Sequence, residues 1–299
     1  MGRLVPEQWR STGAPVPLRE PGTARIAVDL LGGDHAPAVV VDGALRAVED
    51  DPALYLTLVG PAEAAGAVLD ALEPAQRHRI TVVPGATAAE AVAAGHADAL
   101  VSAGDTAVTV VSAARALGRW PEVRRPPLAA VLPTAAGRLV LLDVGSTVDP
   151  DAGTLVMHAR LGAAYAAAVH DLPDPRVGLL TIGTERGKGD RLRRDAARLL
   201  EDLPLRYAGL VEGHDVVLGA AADVVVTDGF TGNVLLKALE AVHGTKEAGE
   251  ARAAVLLGVR GVVVVCHGAA TGPDVANGLA FAADLLRHRR IDVVQRGIA

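Results

Sequence analysis

The feature that most restricts the fold of this chain is a regular alternation between short apolar runs and longer alanine-rich stretches. It begins at Arg25 and continues almost to the last residue. The apolar runs have the length of strands, and the stretches between them have the length of helices. Strands that are apolar throughout are typical of sheets buried on both faces, and such sheets are mostly parallel. The sequence therefore predicts an α/β fold around a mostly parallel sheet.

The predicted elements follow this alternation. The strands are Arg25–Leu30, Leu54–Val59, Ile80–Val83, Ala99–Val101, Leu128–Leu132, Leu139–Leu142, Val177–Ile182, Val224–Val226 and Val262–Val265. The clearest helices are Pro37–Val48, Ala62–Leu72, Ala88–Ala94, Thr106–Leu117, Leu155–Val169, Arg191–Leu203 and Thr231–Ala241. Only residues 133–138 separate the fifth and sixth strands, which is too short for a crossover helix, so this pair is predicted to be an antiparallel hairpin.

The first residues of the chain differ from the rest. Residues 1–24 hold three arginines and four prolines and lack the apolar centre of a secretory signal, so we predict a flexible N-terminal tail. Residues 25–299 contain no internal repeat and no low-complexity linker. This uniformity predicts one α/β domain, which could be built from two lobes.

Charge, cysteine content and missing motifs exclude several classes of protein. A net charge of -6 argues against a general nucleic-acid binder. The single cysteine, Cys266, excludes an internal disulfide and a multi-cysteine metal site. One cysteine also fits a reducing cytoplasm. No run is long enough to span a membrane. There is no dinucleotide fingerprint, and Gly183–Gly189 is one residue too short between its first two glycines for a P-loop. We predict no metal and no cofactor.

Polar and glycine-rich clusters follow the predicted strands. They are Asp29–His35, Ser102–Thr106, Asp143–Asp149, Gly183–Asp190, Asp228–Asn233 and His267–Gly272. Because open α/β sheets bind ligands beyond the carboxyl ends of their strands, these clusters are predicted to form one cleft. The alternative for each cluster alone is an ordinary turn, which also favours Gly and Asp.

Two of these clusters carry specific motifs. The string Gly-Gly-Asp-His-Ala-Pro lies at 32–37, and Asp-Gly-Phe-Thr-Gly-Asn lies at 228–233. Between them come Ser-Ala-Gly-Asp-Thr at 102–106 and Lys-Gly at 188–189. With these motifs the chain resembles the bacterial phosphate acyltransferases (the PlsX family) along nearly its whole length from Arg25.

The resemblance implies a Rossmann-like three-layer α/β/α fold, related to phosphotransacetylases and isopropylmalate dehydrogenases. It implies a cytoplasmic enzyme, usually a homodimer, that converts an acyl-carrier-protein thioester and inorganic phosphate to an acyl phosphate and free carrier protein. Such a reaction belongs to fatty acid and phospholipid synthesis. It needs no protein nucleophile, but it needs a held phosphate dianion and donors for the tetrahedral oxyanion.

Three residues are the candidate catalytic groups. By resemblance, Lys188 would meet the phosphate, and Asn233 would offer an amide near a helix N-terminus. His35 would orient the phosphate or donate to the oxyanion. The alternatives are a solvated lysine, a helix N-cap for Asn233 and a structural histidine that bonds the next loop.

Further residues are predicted to surround the substrates. The candidates for substrate binding are Gly32, Gly33, Asp34, Gly104, Asp105, Thr106, Gly189, Gly232, His267 and Gly268. Asp29 and Asp34 would fix the glycine-rich backbone, because a carboxylate does not attract a dianion. An acidic carrier protein requires a basic docking surface, and the candidates are Arg186, Arg191, Arg194, Arg124 and Arg125. A solvated helix face is the alternative for these arginines.

The chain departs from the family pattern in several places. The segment between Val83 and Ala97 is shorter than the family's, and Asp105 stands where Asn is usual. The long amphipathic helical hairpin that usually follows the helix of Asn233 is missing, so no stable membrane insertion is expected. Three hypotheses follow. The chain is a trimmed working acyltransferase, a divergent acyltransferase of a specialised pathway, or a non-catalytic homologue that binds a carrier protein.

Overall fold

The computed structural model describes residues 22–61, 63–64, 68, 72–243 and 253–298. The predicted tail lies almost entirely outside these residues, and the first strand begins at Ala24. The described chain divides into two compact units. Unit 1 contains residues 22–118, residue 253 and Val259–Arg289, and unit 2 contains residues 119–243, Ala254–Gly258 and 290–298.

Strands and helices alternate through both units. In chain order they are β1 Ala24–Asp29, α1 Ala38–Asp50, β2 Leu54–Gly60, α2 Pro74–Arg77, β3 Ile80–Pro84, α3 Ala88–Ala93, β4 Ala99–Ser102, α4 Thr106–Ala116, β5 Leu128–Thr134, β6 Gly137–Leu142, α5 Ala152–His170, β7 Val177–Leu180, α6 Arg191–Glu201, β8 Tyr207–Val211, α7 Gly213–Leu218, β9 Val224–Val226, α8 Gly229–His243, β10 Ala253–Leu256, β11 Val262–Cys266, α9 Gly272–Arg287 and α10 Arg290–Ile298.

Unit 1 is built on parallel strands in the order β3-β2-β1-β4-β11. The strands are apolar on both faces, and β1 and β11 are buried along almost their whole length. Helices α1 and α9 pack closely because Gly43 has no side chain. A Cβ at Gly43 would lie 2.6 Å from Cβ of Val275, so any larger residue would push the two helices apart.

Unit 2 combines an antiparallel part with a parallel part in the strand order β10-β5-β6-β9-β7-β8. Strands β10, β5 and β6 pair antiparallel, while β6, β9, β7 and β8 pair parallel. The hairpin predicted from the short connection at 133–138 is confirmed as β5 and β6. Helix α5 packs on this sheet through Gly162, where a Cβ would lie 2.6 Å from Val224.

The structure confirms the mostly parallel α/β class and every predicted strand, with end points that differ by up to two residues. Two strands escaped prediction. β8 is interrupted by Gly209 and pairs with one neighbour, β7, so its residues are only partly buried and lack a continuous apolar run. β10 begins with two alanines, which have low strand propensity. The predicted helix 62–72 falls largely outside the described residues.

Two further findings concern the predicted departures. Residues 85–87 alone join β3 to α3, which agrees with a shortened segment after Val83. The connection from α8 to β10 lies outside the described residues from 244 to 252. Within the part of the chain that is described, no helix combines the length and the apolar character required to cross a bilayer.

Candidate functional site

The six polar clusters divide equally between the two units. Asp29–His35, Ser102–Thr106 and His267–Gly272 follow β1, β4 and β11 of unit 1, and the other three clusters follow β6, β7 and β9 of unit 2. Because these strands are parallel within each unit, their carboxyl ends lie at a common edge. Each unit therefore brings three clusters together. The prediction of one cleft for all six stays a prediction.

In unit 1, Asp29 holds two clusters to each other. Its Oδ1 accepts the N–H of Leu31 at 3.2 Å, and its Oδ2 accepts the hydroxyl of Ser102 at 3.1 Å. Ser102 Oγ also accepts the N–H of Gly104 at 3.0 Å. The prediction that Asp29 fixes glycine-rich backbone is therefore confirmed.

The predicted substrate-binding glycines of unit 1 lie against one another. A Cβ at Gly32 would lie 2.8 Å from the backbone nitrogen of Gly104, and Gly33 has a φ of +111° with Gly268 O 3.1 Å from its Cβ position. Asp34 donates its N–H to Gly268 O at 2.8 Å. Three separate stretches of sequence therefore meet at backbone distance, a packing that side chains would prevent.

The polar side chains around these glycines have different surroundings. Asp34 and His35 are exposed, whereas His267 is half-buried and accepts the N–H of Ala269 on Nδ1 at 3.1 Å. Asp105 caps α4, because its Oδ1 accepts the N–H of Val108 at 2.8 Å, and Thr106 is the first residue of that helix. An asparagine oxygen caps equally well, so the departure at 105 changes the charge and keeps the cap.

Cys266 takes no part in a nucleophile–base pair. A Cβ at Gly278 would lie 2.5 Å from its sulfur, so the thiol packs directly on helix α9. Burial, with a smaller contribution from Asp274, raises the pKa of the Cys266 thiol to about 12. The thiol therefore stays protonated near neutral pH and is a packing group.

In unit 2, the cluster after β6 is organised around the buried carboxylate of Asp143. Oδ1 accepts the N–H groups of Leu128, Gly145 and Ser146 at 2.9–3.1 Å, and Oδ2 accepts that of Thr147 at 2.6 Å. These four bonds fold residues 143–147 around one side chain. The cluster is thus a fixed loop whose carboxylate is already occupied by the protein.

His158 supports this loop from helix α5. It is fully buried, and its Nε2 donates to the carbonyl of Arg125 at 3.0 Å. Burial lowers the pKa of His158 and raises the pKa of Asp143, although each is opposed by the other's charge and by hydrogen bonds with the backbone. Asp143 anchors the loop, His158 holds the backbone at Arg125, and neither side chain is placed to exchange protons with solvent.

The Asp-Gly-Phe-Thr-Gly-Asn motif begins helix α8 and packs on the 143–147 loop. Gly229 donates its N–H to Thr147 O at 2.7 Å, and a Cβ at Gly232 would lie 1.9 Å from Asp143 O. Asn233 donates from Nδ2 to Val144 O at 3.0 Å. Positions 229, 232 and 233 share one helix face, which explains the spacing of the motif by close packing.

Asn233 is not the cap of this helix, so the N-cap alternative is wrong. The cap is Asp228, whose Oδ1 accepts the N–H of Thr231 at 2.8 Å and whose Oδ2 accepts its hydroxyl at 2.7 Å. Burial would raise the pKa of Asp228, but hydrogen bonds from Thr231 and Arg193 outweigh it and hold the pKa below its ordinary value. The spacing Asp-x-x-Thr was the sequence signal for this cap.

The third cluster of unit 2 carries Lys188 on a glycine loop. Gly187 and Gly189 have φ values of +88° and +85°, which side chains adopt only with strain. The Lys188 side chain is 51% exposed, passes over Gly183 and lies 3.8 Å from a carboxylate oxygen of Glu185. Lys188 is therefore an accessible cation at the carboxyl end of β7.

Sequence reasoning counted Arg193 only as part of a basic cluster at residues 186–194 and did not predict its buried ion pair. Its guanidinium contacts Asp190 at 2.7 Å and also pairs with Asp228. The signal was present in helix α6, where Arg193 shares a face with the buried residues Ala196 and Leu200 at helical spacing. A basic residue on a buried stripe has a structural partner more often than a solvent-exposed role.

The predicted docking arginines are all exposed. Arg186, Arg191 and Arg194 lie around the start of α6, and Arg124 and Arg125 precede β5. Arg194 donates to Gly189 O at 2.5 Å, and Arg124 lies 3.7 Å from Asp151. In the described parts of the chain, no cluster of His, Cys, Asp and Glu is suited to a metal ion.

The structure joins some of the predicted site residues directly. Gly32, Gly33, Asp34, Gly104 and Gly268 meet in unit 1, and Gly232 and Asn233 meet the 143–147 loop in unit 2. Lys188 is connected to the start of α8 through Gly189 and Arg193. That Lys188 and Asn233 face one bound oxyanion stays a prediction.

Comparison with known proteins identifies relatives of the chain. A profile of the family described as "Fatty acid synthesis protein" matches residues 24–87 and 85–248. The chain is 40% identical to a phosphate acyltransferase of Thermobifida fusca over 344 aligned positions, covering 96% of this chain and 95% of that one. It is 34% identical to a phosphate acyltransferase of Desulfitobacterium hafniense, covering 91% and 96%.

These matches also agree with the shortened segments. The alignment of 344 positions exceeds the 299 residues of the chain, so it places gaps in this chain. The two profile segments meet at residues 85–87, inside the loop between β3 and α3.

Solved structures with little sequence identity share the fold. The EutD phosphotransacetylase of Staphylococcus aureus matches with a TM-score of 0.62 at 17% identity, covering 88% of this chain and 94% of that one. A phosphotransacetylase of Streptococcus pyogenes matches with a TM-score of 0.63 at 18% identity and the same coverage. These likenesses confirm the predicted Rossmann-like α/β/α fold.

Proposed function

The chain belongs to the phosphate acyltransferase family, and from this premise we propose that it transfers the acyl group of an acyl-carrier-protein thioester to inorganic phosphate. The products are an acyl phosphate and free carrier protein, which places the enzyme in fatty acid and phospholipid synthesis. The observation that carries the proposal is 40% identity to a phosphate acyltransferase across nearly the whole of both chains. The accessible Lys188, which Gly189 and Arg193 connect to the glycine-lined start of α8, supports it further.

The reaction proceeds by addition and elimination at the thioester carbonyl. A phosphate oxygen forms a C–O bond with the carbonyl carbon, the carbonyl oxygen becomes an oxyanion, and the C–S bond then breaks to release the carrier thiolate. Lys188 balances the charge of the phosphate dianion. The second N–H of the Asn233 amide and the N-terminus of α8 stabilise negative charge, and a role of His35 in orienting the phosphate stays a prediction.

The carrier protein docks through the exposed arginines near the reaction site. Carrier proteins are acidic, and a basic surface increases their rate of encounter more than their final affinity. The residues proposed for this contact are Arg186, Arg191, Arg194, Arg124 and Arg125. We further propose that the enzyme acts as a homodimer in the cytoplasm.

The decisive experiment measures carrier thiol release by the purified full chain in the presence of an acyl carrier protein thioester and phosphate. We expect Lys188→Ala to lower kcat/KM by about 100-fold or more, the effect of removing one charged group from a transition state. Lys237→Ala, which removes an exposed lysine from α8, is the matched control and should change kcat/KM less than about twofold.

The outcomes separate the three hypotheses. Release only with an unusual acyl group or acceptor would identify a divergent acyltransferase. Retained carrier binding without release, at any chain length, would identify a non-catalytic homologue and refute the proposal. Full activity of the Lys188 variant would refute the site assignment and leave the function intact.

A further inference from the structure

Arg193 contacts both the loop that carries Lys188 and the start of α8. Its Nη1 lies 2.7 Å from Asp190 Oδ2, and its Nη2 pairs with Asp228 Oδ2. The same Nη2 lies 3.4 Å from Thr231 Oγ1 and 3.5 Å from Thr227 Oγ1. One guanidinium therefore joins the loop after β7 to the residues that follow β9.

The surroundings of Arg193 differ from those of its neighbours on α6. Its side chain is 12% exposed and that of Asp228 is 8% exposed, whereas the side chain of Arg191 is 91% exposed. A charge-assisted hydrogen bond is stronger when it is removed from water. Arg193 is thus held in one place, while Arg191 extends into solvent, where its nearest carboxylate oxygen, on Asp195, is 3.6 Å away.

The stem of Arg193 also supports the backbone next to Lys188. A Cβ at Gly189 would lie 2.9 Å from Cβ of Arg193, so the glycine rests directly on the arginine. Asp190, which follows Gly189, caps α6 by accepting the N–H of Arg193 at 2.8 Å. Any movement of Arg193 would therefore move the residue that follows Lys188.

We propose that Arg193 is a positioning residue, which fixes the Lys188 loop relative to the helix of Asn233 and offsets part of the negative charge of two carboxylates beside the phosphate site. The inference rests on the proposed function. Asp190 and Asp228 would otherwise repel a phosphate dianion, since like charges a few ångströms apart interact unfavourably at reduced dielectric. Arg193 reduces this repulsion without contacting the phosphate.

The test removes the ion pair as a unit. Arg193→Met alone would leave Asp228 buried without its cation and could prevent folding. The double variant Arg193→Met, Asp228→Asn avoids this problem, because the Asn oxygen still accepts the N–H of Thr231 and caps α8. The matched control is Arg176→Met, Asp223→Asn, which removes a bidentate pair at the amino ends of β7 and β9.

The readouts are thermal midpoint, kcat and KM for phosphate and carrier protein. If Arg193 positions the site, its double variant loses at least about tenfold in kcat or raises KM for phosphate by a similar factor, with KM for the carrier protein unchanged. The control loses thermal stability and keeps its kinetic constants. Equal kinetic effects in the two variants at equal stability would overturn the inference and assign Arg193 a purely structural role.

A separate measurement distinguishes failure of the inference from failure of the proposed function. Inorganic phosphate should raise the thermal midpoint of the unaltered chain and of the control, whether or not turnover occurs. It should raise the midpoint of the Arg193 variant much less. An equal shift in all three proteins, or a shift in none, would overturn the inference even if thiol release were observed.

Discussion

An arginine–aspartate pair connects β7 and β9 of unit 2 at each end of the two strands. The two pairs differ in their further partners and in what lies next to them. At the amino ends, Arg176 binds Asp223 through two guanidinium nitrogens at 2.8 and 3.1 Å and through its own N–H at 2.7 Å. At the carboxyl ends, Arg193 binds Asp228 and also Asp190. The same chemical pair joins two neighbouring strands at one end and supports the loop of Lys188 at the other.

The difference shows how a parallel sheet separates stability from function. At the amino end, Arg176 and Asp223 take up each other's hydrogen-bonding groups, so this pair offers little to a ligand. At the carboxyl end, close backbone packing by Gly229 and Gly232 leaves room at the helix start, and Lys188 stays accessible. Ligand sites of open α/β sheets also lie beyond the carboxyl ends of the strands. Four predictions test this contrast between the two ends.

The largest expected effect comes from the packing of the carboxyl end. Gly232→Ala places a Cβ 1.9 Å from Asp143 O, and neither the helix nor the loop can yield without losing hydrogen bonds. We expect a loss of about 3 kcal/mol in unfolding free energy, measured by denaturant melts. Gly213→Ala in α7 is the control, because a Cβ there meets nothing within 4 Å. Equal stability of the two variants would contradict this packing argument.

The second prediction concerns pH and the amino-end pair. The Arg176 side chain, with help from its N–H, lowers the pKa of Asp223 despite opposing desolvation. Because folding lowers this pKa, the carboxylate stabilises the fold above its unfolded value of about 3.9, and that contribution is lost as the pH falls through the folded value. Asp223→Asn should cost about 1–2 kcal/mol at pH 7 and little in acid, with kcat unchanged.

The pH profile of unfolding decides this prediction. A profile of Asp223→Asn that runs parallel to that of the unaltered chain down to pH 3 would show that the pair contributes nothing. A fall in kcat at pH 7 would show that the amino end also serves the reaction, and the comparison between the two ends would fail.

The third prediction uses backbone strain in the Lys188 loop. Gly187 has a φ of +88° and Gly209 in β8 has a φ of +92°, and a Cβ at either position meets nothing within 4 Å. Alanine at each should cost about 1 kcal/mol through strain alone. Only Gly187→Ala should also lower kcat, by severalfold, because it displaces the backbone before Lys188. Similar kinetics of the two variants would show that the loop geometry is unimportant for turnover.

The smallest effect is expected at the exposed arginines. Arg191→Ala should leave stability within about 0.5 kcal/mol and raise KM for the carrier protein about two- to threefold at low salt. Arg198→Ala, at an exposed position further along α6, is the control. The difference between the two should vanish at high salt, because screening removes it. A difference that survives high salt would contradict a docking role based on charge.

Much of the fold could be read from the sequence because its strands are continuous apolar runs bounded by glycine and charge. The strand after residue 206 escaped because a single pairing leaves its residues half-exposed, and the strand before Gly258 escaped because alanine lacks strand preference. In both, sheet pairing overrode weak local preference.

The candidate site was read less completely. Arg193 and Arg191 differ by two positions in one basic stretch, yet one is buried against carboxylates and the other is exposed. Helical spacing puts Arg193, and not Arg191, on the same face as the buried Ala196 and Leu200. This distinction can be drawn only after the segment has been assigned as a helix. Likewise, Asp143 accepts the N–H of Leu128 and Asp228 pairs with the guanidinium of Arg193, and a linear sequence does not bring these groups together.

The glycine spacing at the start of α8 has a consequence for interpreting related sequences. Gly229 and Gly232 are required by the contact of one backbone with another, whatever reaction the cleft supports. A descendant that had abandoned catalysis would still be selected to keep these glycines, whereas it would be free to replace Lys188. The presence of the motif is therefore a marker of architecture, and under the proposed role of Lys188 the activity of a newly met sequence is better judged from the loop lysine.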